Sequence, residues 1–263
     1  MNPSLSEIRS SCEHYSVSAI NTYINCSLQY SFKYVEKLKP SHTSICLPFG
    51  TAYHTARAFI ANANKAKQTI TQAEAVAMFA DAFHAGIKQT ENLKAEEGEA
   101  AALEETGMKM IESLWNSRDP NEFVIECNKA FIIPVEGVEF PLIGELDMLT
   151  RNQENGRLRI VDFKTAARKW PEDKAQKDLQ ASAYCMAFQA EYNTIPDFRF
   201  EICTKTKKPE VQILDTTRTE RDVAKFANIV RAVDHGIKSK VFVPNCSSFF
   251  CSDCPFKQHC ENW

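Results

Sequence analysis

Four things are absent from this chain of 263 residues, and each absence narrows what it can be. No apolar run approaches the roughly 20 residues that a membrane-spanning helix needs, so a soluble chain with no membrane partner is expected. Charge of one sign is not in excess: 31 Lys+Arg stand against 34 Asp+Glu, a net −3. That leaves no global basic field and confines any nucleic-acid surface to a local patch. The opening residues, MNPSLSEIRSSCEHYS, lack a basic stretch followed by an apolar one, so no secretory signal is expected and the compartment should be reducing. A G-x-x-x-x-G-K-S/T phosphate loop is missing, so ATP-driven unwinding is not encoded here. Internal repeats, low-complexity tracts and long linkers are likewise absent.

What is present is an ordinary globular composition, 44% hydrophobic and 25% charged, together with ten cysteines. In a reducing compartment these read as small packing residues plus metal ligands rather than as disulfides. The length favours one compact domain over 1–263. Within it, 1–120 read as mainly helical, 121–240 as an α/β core and 241–263 as a cysteine-rich segment. Apolar residues Ile20, Tyr23, Ile24, Leu28 and Phe32 recur at helical spacing between Ser16 and Tyr34, which places Cys26 on a helix. Further helices are predicted over about 50–67, 71–94 and 97–117. After the string SRDPNE, segments 123–133, 142–150 and 157–164 are rich in Val, Ile and Phe, and the last two flank RNQENG, a turn string ending in Asn-Gly. That pattern predicts a β-hairpin. A helix at about 175–191, a strand pair from FRFEICTKT and PEVQILDT, and a helix over about 219–238 complete the order.

Chemistry concentrates in the predicted hairpin. Strand alternation puts Asp162 and Lys164 of IVDFKT on one face and Val161 and Phe163 on the other. A turn at 152–156 brings Asp147 of GELD level with Asp162 on the adjacent strand. Two carboxylates that close repel each other, and a hard cation such as Mg²⁺ or Mn²⁺ relieves the repulsion with oxygen ligands. A lysine beside the metal can orient a water and stabilise charge on a phosphate. Downstream, DLQASAYCMAF places Gln180 and Tyr184 four apart on one helical face. Upstream, FGTAYHTARAF places His54 near the start of a helix.

His54, Asp147, Asp162-x-Lys164 and Gln180-xxx-Tyr184 follow one another in the order and approximate spacing of the PD-(D/E)XK nuclease superfamily, and the chain resembles its RecB-like branch. The acidic member of the x-Lys motif is Asp here rather than the commoner Glu. The resemblance implies a restriction-endonuclease-like mixed central β-sheet flanked by helices, with the metal site at the hairpin. It implies a divalent-metal-dependent DNA exonuclease, acting on single-stranded ends. Asp147 and Asp162 would hold Mg²⁺ or Mn²⁺ with His54, Lys164 would position the attacking water, and Gln180 and Tyr184 would hold the lysine or the scissile strand. Glu145 shares a strand face with Asp147 and would assist.

The cysteines extend the resemblance. Cys251-x2-Cys254-x5-Cys260 leaves a metal centre one ligand short, and both Cys246 and Cys26 are candidates for the fourth. A local set with Cys246 would read as structural zinc. In the iron–sulphur subgroup of RecB-like nucleases, which includes the CRISPR-associated Cas-four exonucleases and AddB-type nuclease domains, one cysteine precedes the nuclease motifs and three follow with C-x2-C-x5-C spacing. By that resemblance Cys26, Cys251, Cys254 and Cys260 hold a [4Fe-4S] cluster that ties the chain ends together. The same likeness implies a bacterial, archaeal or virus-infected cytoplasm and, as partners, DNA and proteins of CRISPR adaptation or recombination. The remaining cysteines, Cys12, Cys46, Cys127, Cys185 and Cys203, read as packing residues. Tyr23, Tyr30 and Tyr34 are either core or rings that stack on unpaired bases. Arg168 and Lys169, with Lys164, Lys174 and Lys177, form a basic run suited to phosphate contacts or to a solvated face. The rival reading is a DNA-end-binding adaptor that keeps the fold while partners supply the activity.

Overall fold

The computed structural model describes residues 3–119, 122–153 and 155–263, so Pro120 and Asn121 of the SRDPNE string and Glu154 of the expected turn lie outside the described residues. In chain order the elements are α1 (Leu5–Ser11), β1 (Tyr15–Ser16), α2 (Val17–Asn25), α3 (Ser27–Tyr30) running into a π-turn at Ser31–Val35, β2 (Thr43–Ser44), α4 (Cys46–Ala66), α5 (Gln72–Gln89), β3 (Leu93–Lys94) and α6 (Glu99–Ser117). They continue with β4 (Phe123–Ile133), β5 (Leu142–Arg151), β6 (Leu158–Ala166), α7 (Glu172–Lys177), α8 (Leu179–Tyr192), β7 (Asp197–Thr204), β8 (Val211–Thr216), α9 (Glu220–Lys238) and α10 (Lys257–Glu261). No helix is long and apolar enough to cross a membrane among the described residues.

Six strands form one mixed sheet. The order β1-β5-β6-β7-β8 is joined by β4, which also pairs with β5. Neighbours β4–β5, β5–β6 and β7–β8 are antiparallel, whereas β6 and β7 run parallel through the crossover made by α7 and α8. Alternation gives the sheet two apolar faces, and each is covered. Ile160, Phe198, Phe200 and Ile202 pack with Tyr184, Phe188, Phe226 and Val230 from α8 and α9. On the opposite face Val161, Phe163, Met148 and Cys203 meet Phe49, Tyr53 and Ile60 of α4, Phe79 and Phe83 of α5, and Ile111 of α6. Helices α5 and α9 begin at Thr71 and Thr219 in capping boxes completed by Glu74 and Asp222, which satisfy N-terminal amides that have no partner within the helix. Where α5 and α6 cross, a Cβ on Gly107 would lie 1.9 Å from the Phe79 ring, so only glycine allows this approach.

Three expectations are corrected. The helix predicted through Cys26 is broken there: Cys26 is extended (φ −161°, ψ 100°), ending α2 and beginning α3. The break is held from outside the helix, since Leu28 N donates to Val243 O (3.2 Å), Val243 N to Ser27 Oγ (2.7 Å) and Asn245 Nδ2 to Asn25 O (2.8 Å). Helix α4 starts at Cys46 rather than near Gly50, because Pro48 lies in the first turn, where proline costs no hydrogen bond. The single helix expected over 175–191 is two, divided at Asp178, whose backbone is extended and whose Oδ1 accepts from Gln180 N at 2.8 Å.

Candidate active site

The hairpin forks at the two aspartates. Ladder pairing between β5 and β6 runs from Arg151–Leu158 to Met148–Val161 and stops, while β6 continues beside β7 as far as Ala166. The freed edge of β5 is taken up farther on by β1, at Leu142 and Ile143. Asp147 and Asp162 would be the next facing pair. In place of the missing ladder bond the Asp147 side chain spans the gap, with Oδ2 accepting from Phe163 N at 2.7 Å. Its Oδ1 lies 3.1 Å from Nδ1 of His54, presented by the third turn of α4. Burial disfavours charge on His54, but the hydrogen bond and negative charge of Asp147 outweigh it and raise its pKa. A carboxylate can only accept, so Nδ1 carries a proton, and in the neutral ring Nε2 holds the lone pair.

Asp162 is wholly buried. Gln180, on the first turn of α8, donates through Nε2 to Asp162 Oδ1 (2.7 Å) and to Tyr184 Oη (2.8 Å), and accepts through Oε1 from Lys164 Nζ (2.9 Å). Asp162 Oδ2 meets the Lys164 ammonium in an ion pair. Burial pushes the Asp162 carboxyl up to about 7; the Lys164 charge opposes this and the Asp147 charge adds to it. Burial works against the Lys164 charge, but Asp162 and Asp147 together raise its pKa. Burial also raises Tyr184 well above the usual phenol range, so its hydroxyl stays protonated. A buried carboxylate balanced on Oδ2 by an ammonium alone, beside a second carboxylate and a histidine, is an oxygen-rich environment that suits a hard divalent cation. Among the described residues no three His, Cys, Asp or Glu side chains already surround one point as ligands; at the carboxylates Lys164 lies against the oxygen that a cation would take.

The sequence profile of the PD-(D/E)XK nuclease superfamily matches residues 14–261, a stretch containing both carboxylates, the lysine and the α4 histidine. The chain belongs to the PD-(D/E)XK nuclease superfamily. A crystal structure of a candidate exonuclease from Eubacterium rectale shares the fold, with a TM-score of 0.60 at 14% identity over 95% of this chain and 92% of that one. The crystal structure of SSO0001 aligns over 98% of this chain and 92% of that one, at a TM-score of 0.46 and 14% identity. No curated relative matches the chain. The protein is thus a nuclease with the mixed sheet and flanking helices that its motif order implied.

Beneath the nuclease's carboxylates lies a network that the sequence did not reveal. Arg57, one turn after His54 on α4, is buried and donates to Glu201 Oε1 (2.8 Å), Glu201 Oε2 (3.1 Å) and Glu122 Oε2 (2.9 Å). Its guanidinium lies 4.9 Å from the centre of the Phe163 ring, and the His54 ring meets the same phenylalanine at 5.8 Å. The residue whose amide holds Asp147 is therefore gripped by two side chains of α4. The only sequence signal was the His54-x-x-Arg57 spacing, which places both on one helical face. A second buried arginine, Arg218, bonds Ser182 Oγ, Thr216 Oγ1 and the carbonyls of Ala175 and Asp178, fixing the α7–α8 break from which Gln180 projects.

The five terminal-region cysteines share one cavity, although among the described residues no three of them surround a point as metal ligands. Cys26, Cys246, Cys251, Cys254 and Cys260 line one cavity of 1080 Å³, with Phe32, Phe250 and Phe256 among its walls. Burial raises the Cys254 and Cys260 thiols, and the neighbouring sulfurs add to the rise. Gln29 N points at Cys26 Sγ (3.5 Å), so the helix break leaves a backbone donor on that sulfur. Soft sulfur donors in an apolar pocket suit an iron–sulphur or zinc centre. Of the cysteines read as packing residues, Cys185 and Cys203 are buried and Cys12 and Cys127 half-buried, but Cys46 is exposed, because the helix start it occupies faces solvent with Lys205 Nζ 3.7 Å away.

The candidate DNA contacts divide. Tyr30 is 6% exposed and packs on Tyr23 and Tyr34, so its ring is core and offers no face for stacking. Tyr23 is half-buried and donates its hydroxyl to Val241 O at 2.8 Å. Arg168 and Lys169 are exposed just beyond β6; Lys169 pairs with Glu210 at 2.5 Å, Lys177 with Asp173 at 2.6 Å, and Lys174 covers the Trp170 ring. Glu145 is half-buried, its Oε1 3.2 Å from Asn128 Nδ2.

Proposed function

We propose that this nuclease is a divalent-metal-dependent DNA exonuclease that acts on single-stranded ends, similar to the CRISPR-associated Cas-four exonucleases and carrying a [4Fe-4S] cluster in the cytoplasm. The observation that carries the reading is the wholly buried Asp162 carboxylate, whose Oδ2 has the Lys164 ammonium against it and which lies beside Asp147 and His54. Asp147, Asp162 and the Nε2 of His54 would hold Mg²⁺ or Mn²⁺, which when bound supplies Lewis acidity to the scissile phosphate. Lys164 positions the attacking water and steadies the charge that develops on the phosphate. Gln180 sets the Lys164 ammonium by accepting from it while donating to Asp162 and Tyr184. Exposed Arg168 and Lys169, with Tyr23, would contact the strand. Cys26, Cys251, Cys254 and Cys260 would hold the cluster, whose role is to tie the chain ends, since binding energy at such a site is folding energy.

The test uses anaerobically purified protein, Mn²⁺ or Mg²⁺, and DNA labelled at either end, single-stranded beside a blunt duplex. Progressive shortening of the single strand is expected, and the label lost first gives the polarity. Binding without shortening under either metal would instead assign the protein to DNA-end recognition alongside CRISPR adaptation or recombination partners. Broad visible absorption distinguishes the cluster from zinc held through Cys246.

A further inference from the structure

Strand β4 carries an irregularity beside the carboxylates. Asn128 takes a left-handed backbone, φ 52°, in the middle of the strand. Across the ladder Cys127 faces Met148 and Lys129 faces Leu146, so Asn128 stands opposite Asp147, at a position the pairing skips. Asparagine is among the few L-residues that adopt this conformation readily, because its short polar side chain bonds locally. Here the bond goes to the site: the exposed carboxamide donates from Nδ2 to Glu145 Oε1 at 3.2 Å. Glu145 precedes Asp147 by two residues and therefore shares its face of β5. Asp147 is thus fixed from one side by Phe163 N and borders, on the other, a ladder gap occupied by Asn128.

Resting on the nuclease reading of His54, Asp147 and Asp162, we propose that Asn128 is a positioning residue of the cation site, holding Glu145 beside Asp147 as an outer carboxylate for the water shell of Mg²⁺ or Mn²⁺. Magnesium in particular keeps several waters when protein-bound, so carboxylates beyond the direct ligands contribute to its affinity, and such outer partners typically matter about 10–100-fold.

The test is a double-mutant cycle with Asn128→Gly, Glu145→Gln and the pair, on the full chain, read by Mn²⁺ calorimetry and by steady-state cleavage of single-stranded DNA. Glycine keeps the left-handed backbone at no steric cost, so Asn128→Gly isolates the side chain. Each single variant is expected to weaken Mn²⁺ binding by roughly tenfold and to lower kcat while leaving KM for DNA unchanged. If Asn128 acts through Glu145, the double variant is no weaker than the worse single one. Singles that bind Mn²⁺ like the wild type, or a double variant whose loss is the product of the two, overturn this role. A wild type that binds no Mn²⁺ overturns the underlying cation reading as well, so the two failures are distinguishable.

Discussion

The carboxylate centre and the cysteine cavity are assembled by opposite means. Asp147, Asp162, His54 and Gln180 are carried by β5, β6, α4 and α8, and almost every polar atom among them is already engaged. The cysteines are carried by the helix break at 26 and a tail with little regular structure, around a small apolar cluster whose buried members are Leu28, Phe32 and Phe256. One site is positioned by the sheet and can lose a side chain without losing its frame. The other lies between two distant stretches of chain across a wide cavity and, on the proposed reading, would depend on what fills it. Substitutions in the first should cost chemistry; in the second they should cost fold.

The largest effect should come from the buried arginine behind the carboxylate side. Replacing Arg57 by Met leaves Glu201 buried without its partner, and unfolding in denaturant should show a loss of about 3–5 kcal/mol; the visible absorbance of the proposed cluster should persist in the folded fraction. Lys164→Ala should lower kcat by roughly 10²–10³-fold, with a smaller loss of stability than Arg57→Met, because the Asp162 carboxyl that burial already raises takes up a proton when the ammonium is gone. A Cys26→Ser variant should reverse that pattern, losing visible absorption and about 2–4 kcal/mol of stability, as expected when a long-loop tie is cut. Comparable melting temperatures for Cys26→Ser and Lys164→Ala would break the contrast.

The last prediction concerns pH. Burial raises the Asp162 carboxyl from its ordinary value to about 7, so between about pH 4 and pH 7 the folded metal-free protein holds a proton that the unfolded chain has released. The stability linked to that proton is complete below the unfolded pKa and is lost as pH rises through about 7. Denaturant titrations of metal-free protein across this window should show stability falling toward neutral pH, and the fall should flatten in Asp162→Asn.

Much of this was legible because it is local. Asn155-Gly156 and the alternation around it marked the β5–β6 hairpin, and the same alternation placed Asp162 and Lys164 together; helices carrying His54 and Gln180 were expected, although the first begins earlier, at Cys46, and the second is divided at Asp178. What escaped the sequence depends on partners far along the chain. Cys26 interrupts a good helical pattern because Val243 and Asn245 bond the backbone there. Arg57 meets Glu201 across 144 positions, and no spacing rule reaches that far. The fork needs β1 to take the edge of β5 that β6 leaves, and the left-handed turn at Asn128 shows only in the backbone. Tyr30 looked available to DNA until its neighbours were in place.

Asp162→Asn, with Mn²⁺ binding and cleavage of end-labelled single-stranded DNA followed on the same preparation, is the most direct test of the central claim. The account predicts a folded protein, at least as stable as the wild type at neutral pH without metal, that neither binds Mn²⁺ nor shortens the strand. A variant that still binds the ion and cleaves at the wild-type rate would contradict it.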